Sequence, residues 1–375
     1  MEAPSVPKVQ SGALLALRLF DIAYAIDLGR AEAIWAARGS SRSQISMTPA
    51  KAVAFEVPPV LLSLDSISLP IDGVVHTLAV QARLYDFGAA TLMLRLPVQD
   101  VDWPSYCQLA NALDAAVGDG TGTTIWQTLL AELRLSLAPA LIRPSESTMQ
   151  EDYLLAVIHA WSEPLTAVEL QARVDLVPLL SGEQRPLSEG ARNDLLRHRY
   201  SYHQDDLVVL TWDRAFICEP RRDSDVADVI EVANAQLLEL RYYAGLLDDE
   251  LPRMYDHVEA ERGNGRLSGL LAPRRFARLA RRLYTLVAEV TEITEQIDNA
   301  LQVTEDVYLA RVYSAALEQF RVASVSAALN RKLAIIRDTY TALHDEASGA
   351  RGALMEAAII ALILIELVLA IVERA

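Results

Sequence analysis

Apolar positions fall into two regimes along the chain: short crowded runs up to about residue 220, then long helical spacings. In the first regime, Ala13 to Ile26 reads as a strand, with Phe20, Ile22 and Tyr24 alternating onto one side. Asp27 to Gly29 reads as a turn or helix cap, and Arg30 to Ala37 as a short helix. Past a polar loop, Val53 to Val57, Leu61 to Leu69 and Val74 to Tyr85 are predicted strands. The turn Asp86 to Gly88 sends the chain back into Ala89 to Leu96, which Pro97 ends. Trp103 to Val117 and Thr123 to Leu137 read as helices. The Gly118 to Gly122 run between them lacks the lysine of a phosphate-cradling loop and reads as a linker. After Pro144 a looser version of the pattern returns. It has a strand at Tyr153 to Ala160, helices at Leu165 to Leu180 and Leu187 to Arg197, and a hairpin from Leu207 to Thr211 into Ala215 to Cys218. The expectation is an α+β fold: a mixed or antiparallel sheet body, in ferredoxin-like layers, with helices packed on one face.

The second regime begins at Asp225. Val229, Val232, Ala233, Leu237, Leu240 and Leu247 place one long amphipathic helix over Asp225 to Tyr255. Beyond a Gly-rich break, Phe276, Leu279, Leu283, Leu286, Val290, Ile293 and Ile297 are spaced alternately three and four apart, a coiled-coil seam. Leu329, Leu333, Ile336, Tyr340 and Leu343 repeat that spacing on a helix running to about His344. The two helices are expected to form a long antiparallel hairpin. The boundaries expected are 1–144 and 145–222 for two α+β portions, 223–350 for a helical stalk, and 351–375 for a terminal apolar helix.

That last helix has two readings. Ala353 to Val372 is apolar except for Glu356 and Glu366, and about 20 such residues span a bilayer core. Ile359, Ile360, Leu362, Ile363, Leu364, Ile365, Glu366 and Leu367 would form the membrane anchor. Against this, a charge at mid-bilayer costs roughly 2.5–3.5 kcal/mol, which favours a buried core or oligomer helix. The transmembrane reading is the expectation carried forward. With it go a lipid bilayer as partner and a bacterial inner-membrane location, the bulk of the chain being cytoplasmic.

Composition narrows the choice of partners. Hydrophobic residues make up 52% and charged residues 22%, as in a globular chain, and the net charge of −16 argues against nucleic acid as a partner. Cys107 and Cys218 are far apart and have no metal-ligand spacing, which suits a reducing compartment. Glu2 and the interrupted apolar run near Arg18 do not read as a secretory signal. Among local clusters, His198, His203, Asp205 and Asp206 have donor chemistry for a metal, but the five-residue histidine spacing points the rings apart on strand or helix. A solvated loop is the reading adopted. Arg274, Arg275, Arg278, Arg281 and Arg282 form a dense basic patch suited to lipid headgroups or phosphates, or simply to the solvated flank of a coiled coil. Trp212, Asp213 and Arg214 read as turn chemistry, with Trp212 covering the sheet. No nucleophile, Walker or zinc motif is present, so no cofactor or catalytic residue is assigned.

Several blocks carry a family likeness. LVVLTWDRAFICEP leads into ANAQLLELRYYAGLLDDEL; DNALQVTEDVYLARVYSAALEQFRV precedes RKLAIIRDTYTAL and IIALILIELVLAIV. LFDIAYAIDLGRAEAI and LYDFGAATLMLRLP stand near the start. Their order resembles the Rmd1/Sif2 family, also described as the YagE or DUF155 domain, and suggests a bacterial member. The resemblance implies a terminal helix with a glutamate in an Ile/Leu run, matched by Glu366. It also implies relatives in eukaryotes, among them a mitochondrial inner-membrane protein supporting organellar translation and yeast proteins tied to meiotic nuclear division. The lead-in to the tail departs from the family pattern, with Ala357 after Glu356. The function expected is a membrane-tethered, non-enzymatic scaffold that self-associates as a homo-oligomer through stalk and tail. Two alternatives stand beside it: an enzyme or ligand-binding protein with a site between the two α+β portions, and a soluble oligomer with its last helix buried.

Overall fold

The computed structural model describes residues 6–37, 53–54, 57–118, 121–183, 185–221, 225–263, 302–303, 306–339 and 341–342, with isolated helical positions between 285 and 291 and between 356 and 363. The chain divides into two units. One comprises residues 1–242 and 296–323, the other residues 243–295 and 324–375.

The first unit is built on one eight-stranded sheet. Its strands are β1 (Val9–Asp21), β4 (Val60–Ile71), β5 (Val74–Leu84), β6 (Ala89–Val101), β8 (Gln150–Trp161), β9 (Arg199–Tyr200), β10 (Leu207–Leu210) and β11 (Arg214–Cys218), in the order β4-β5-β6-β1-β8-β11-β10-β9. Two short ribbons lie outside it: β2 (Ala23–Ile26) with β7 (Leu141–Pro144), and β3 (Val53–Ala54) with β12 (Gln302–Val303). All sheet pairings are antiparallel except β11 with β8, because the chain between those strands crosses over through helices rather than a tight turn. β1 lies between β6 and β8, so the stretches before and after Pro144 share one continuous sheet.

Strand periodicity sorts the core. Leu14, Ala16 and Phe20 of β1 face one side, joined there by Leu92, Leu94, Leu154, Ala156 and Phe216. That face is covered by α2 (Trp103–Val117) and α3 (Thr121–Leu137), whose Tyr106, Leu113, Trp126 and Leu133 are wholly buried. The same layer holds α1 (Leu28–Ala37), α4 (Ala167–Arg173), α5 (Val177–Ser181) and α6 (Glu189–Leu195). Leu15, Leu17 and Leu19 point the opposite way and are buried too. Over that face run α8 (Val307–Gln319) and, up to residue 242, the first part of α7 (Val226–Gly263), tied down by the Arg83–Asp228 and Arg241–Glu151 ion pairs and by the Tyr313 hydroxyl donating to Gln236. Helices therefore cover both faces, not one as expected from the strand pattern.

Local chemistry explains where the expected elements broke. The helix expected over Leu165 to Leu180 is two, because Pro178 opens the second and Asp175 accepts from the Val177 amide at 3.1 Å. The long helix expected to reach His344 is interrupted after Gln319: Arg321 adopts a left-handed φ of 54°, and its amide closes on the Glu318 carbonyl. The Asp86–Gly88 turn is a hairpin, as expected. Gly88 has φ 105°, and a Cβ there would lie 1.8 Å from the Ala23 carbonyl oxygen, so the position requires glycine.

In the second unit, Leu329 and Ile336 of the seam on a helix over 322–339 are buried and Leu333 is half-buried. Lys332 pairs with Asp248 at 2.7 Å and donates to the Ala244 carbonyl. Of the earlier seam, Val290 is described and is buried; Phe276, Leu279, Leu283, Leu286, Ile293 and Ile297 lie outside the described residues.

The terminal helix requires a correction. Among the described residues no helix is long and apolar enough to cross a membrane. This overturns the transmembrane helix expected over 351–375, the bilayer as partner through it, and the inner-membrane location. A span needs an unbroken apolar helix of about 20 residues. Of the expected anchor, only Glu356, Ile359, Ile360, Leu362 and Ile363 are described, helical and exposed; Leu364, Ile365, Glu366 and Leu367 lie outside the described residues. The two glutamates that the hydropathy argument had to absorb each oppose insertion.

Candidate functional site

At one end of the sheet, beyond β10 and β11, the first unit has a cleft of about 170 Å³. Three stretches form it. The loop before β10 contributes Tyr202, His203, Asp205 and Asp206; the exit from β11 into α7 contributes Glu219, Pro220, Arg221 and Asp225; the start of α8 contributes Asp306, Tyr308 and Leu309. Five carboxylates thus line the cleft against one arginine.

Each stretch is held by its own short-range bonds. Asp206 ties the loop by accepting from the Tyr202 and His203 amides, at 2.7 and 2.9 Å, and the Ser201 hydroxyl donates to the His203 carbonyl. Asp306 caps α8, accepting from the Tyr308 and Leu309 amides at 2.9 and 3.1 Å. Glu219 continues the parallel ladder, its amide donating to the Ile158 carbonyl. The Tyr202 and Tyr308 rings lie 5.5 Å apart at 42°; Tyr308 is buried and Tyr202 is 68% exposed, so one ring forms a wall and the other the rim.

Two neighbouring groups sense the potential of this cluster. Burial pushes the Tyr308 phenol above its ordinary range, and Asp206, Glu219 and Asp306 push it further. Burial also drives the Cys218 thiol up to about 11; the Trp161 indole N–H opposes this and Asp205, Asp206 and Glu219 add to it. A negative field beside two aromatic faces is the environment that attracts an ammonium or guanidinium group.

The residues singled out from the sequence are scattered by the fold. His203, Asp205 and Asp206 do line the cleft, whereas His198 is buried away from it. No group of three or more metal-type ligands forms among the described residues. Trp212 is 72% exposed at its hairpin tip and does not cover the sheet, contrary to expectation. Arg214 instead turns inward, to Asn111, the Leu179 carbonyl and Asp114. Arg274, Arg275, Arg278, Arg281 and Arg282 lie outside the described residues. Sequence reasoning missed Glu219, Asp225, Asp306 and Tyr308. A local signal existed for Asp306 alone, the cap opening α8, and nothing in the spacing joins residue 306 to residue 206.

Fold and cleft together define an α+β protein with a mixed sheet between helical layers and an acidic, aromatic recess at the sheet's end. Residues 11–225, more than half of the chain, match the family described as "Uncharacterized protein MJ0711, N-terminal domain", and the chain belongs to that family, a DUF155/Rmd1-like one as its sequence blocks indicated. Among curated proteins, "Uncharacterized protein MJ0711" of Methanocaldococcus jannaschii is 26% identical over 224 residues, 60% of this chain and 66% of the relative. The match thus spans just under two thirds of that relative's length. No solved structure matches the chain.

Proposed function

We propose that this chain is a binding protein whose first unit takes up a cationic group, a primary ammonium or guanidinium, in the acidic cleft. The observation that carries the reading is the convergence of Asp205, Asp206, Glu219, Asp225 and Asp306 on a recess walled by Tyr202 and Tyr308. This is the ligand-binding alternative, at a different place: the cleft is lined by the loop before β10, the exit from β11 and the start of α8 rather than by the junction of 1–144 with 145–222. Asp206 and Asp306 accept from backbone amides, which fixes their carboxylates in place; Asp205 is exposed. A bacterial source belongs with this proposal.

The test is calorimetric titration of the whole chain with agmatine. Asp205→Asn and Tyr202→Ala are each expected to weaken binding roughly three- to tenfold, and added salt to weaken it further. No heat at millimolar agmatine, or equal affinity in all three proteins, would overturn the reading. A second reading, a self-associating scaffold, is favoured by the exposure of Ile359, Ile360, Leu362 and Ile363, each between 52% and 66%.

A further inference from the structure

The chain carries 50 acidic residues against 34 basic ones, so a recess where arginine predominates is a local inversion of its charge. One exists in the first unit, a cleft of about 290 Å³ lined in part by Arg173 at the end of α4, Arg192 on α6 and Arg199 on β9. Its wall includes Val174 and Leu176, which are buried. The only carboxylate in the lining is Asp175, whose Oδ1 already accepts from the Val177 amide at 3.1 Å and from Arg192 at 3.0 Å. Arg173 pairs with Glu163 outside the lining. Arg199 has no carboxylate partner among the described residues: its Nη1 donates to the neutral Gln171 Oε1 at 3.1 Å, and the residue is exposed. Arg173 also acts on Glu169, outside the lining, so the excess is one of the lining itself: three arginines face one carboxylate there, and Arg199 is the one held only by a neutral side chain.

We propose that this cleft is a second binding site, for the phosphate group of a small phosphorylated molecule. A guanidinium presents paired N–H donors that match two oxygens of an oxyanion, and three guanidinia on separate elements can grip a tetrahedral dianion from different sides. A monocarboxylate needs one such fork; a phosphate monoester uses the additional donors and the excess charge. The volume beyond one phosphate leaves room for the group that bears it. The cleft is distinct from the acidic one, with no lining residue in common.

The experiment is calorimetric titration of the full chain, in a phosphate-free buffer of constant ionic strength, with inorganic phosphate, pyrophosphate and acetate. Wild type is expected to bind phosphate and pyrophosphate more tightly than acetate. Arg199→Gln is expected to weaken phosphate binding about tenfold, and Arg199→Lys, which keeps the charge and loses the fork, to recover part of that loss. Arg221→Gln, in the other cleft, is expected to leave phosphate binding unchanged, which separates the two sites. Absence of phosphate binding at about 10 mM, equal affinity in Arg199→Gln, or acetate binding as tightly as phosphate would each overturn the proposal.

Discussion

Glu239 on α7 is fully buried, and neither of its carboxyl oxygens has a hydrogen-bond partner among the described residues. Burial holds its carboxyl well above the usual range, and Asp21 adds to this. Asp21 is buried at the end of β1; burial raises it from 3.8 to about 6, against the opposing effects of the Ser145 hydroxyl, 2.7 Å away, and of Arg134. Both acids fold more readily protonated than ionised. A raised folded-state value means that the Asp21 contribution is complete below about pH 4 and is lost as pH rises through about 6. At about 1.4 kcal/mol per pH unit, the shift from 3.8 to about 6 corresponds to roughly 3 kcal/mol. Asp21→Asn keeps an acceptor for Ser145 and cannot ionise. Urea denaturation of both proteins between pH 4 and 8 should show the variant gaining stability relative to wild type as pH rises, with the difference levelling off above about 7. A constant difference across that range would mean that Asp21 does not titrate in the folded unit.

Among the elements, the β10–β11 hairpin depends on one joint. Arg214, 7% exposed, donates to Asn111 and Asp114 on α2 and to the Leu179 carbonyl on α5. Tyr153 of β8 locks the same turn, its hydroxyl 2.9 Å from the Thr211 carbonyl oxygen and 2.8 Å from that of Arg214. Gly182, just past α5, makes room for the guanidinium: a Cβ there would sit 2.6 Å from Arg214 Nη2. Arg214→Met keeps the stem and removes the fork, leaving the buried Leu179 carbonyl and two half-buried side-chain acceptors unpaired, which costs about 2–3 kcal/mol of unfolding free energy. Arg214→Lys should recover only part, because one ammonium cannot reach three acceptors in that fixed geometry. The same series measured with agmatine should leave affinity unchanged wherever the protein is folded, since Arg214 lies outside the acidic cleft. Tight turns and caps of this kind are readable locally. The Asp86–Gly88 hairpin was visible because only glycine suits its backbone, whereas the break at Arg321 was not, because arginine rarely takes that conformation.

At the scale of the whole molecule, helices on both faces bury the central strands twice over, which is why β1 reads as an almost unbroken apolar run rather than an alternation. The exposed apolar residues Ile359, Ile360, Leu362 and Ile363 belong to the second unit. If a second copy covers them, Ile360→Asp with Ile363→Asp should shift size-exclusion elution toward the monomer and make it insensitive to protein concentration. Unchanged, concentration-independent elution of wild type and variant alike would leave those residues no part in assembly.

What the sequence determined by itself was local: apolar crowding for strands, the 3.6-residue spacing of α7, the caps, the glycine turn and the buried phase of Leu329 and Ile336. These follow from backbone sterics and from periodicity within one element, which no distant residue alters. The tertiary structure decided which elements meet. It made β1 the partner of both β6 and β8 and brought Asp306 to Asp206. It also set Arg199 beside Arg173 and Arg192, and sealed Glu239 in the core. Each is a contact between residues far apart in the chain, made favourable by burial summed over whole faces, and such sums do not show in the spacing of a single segment.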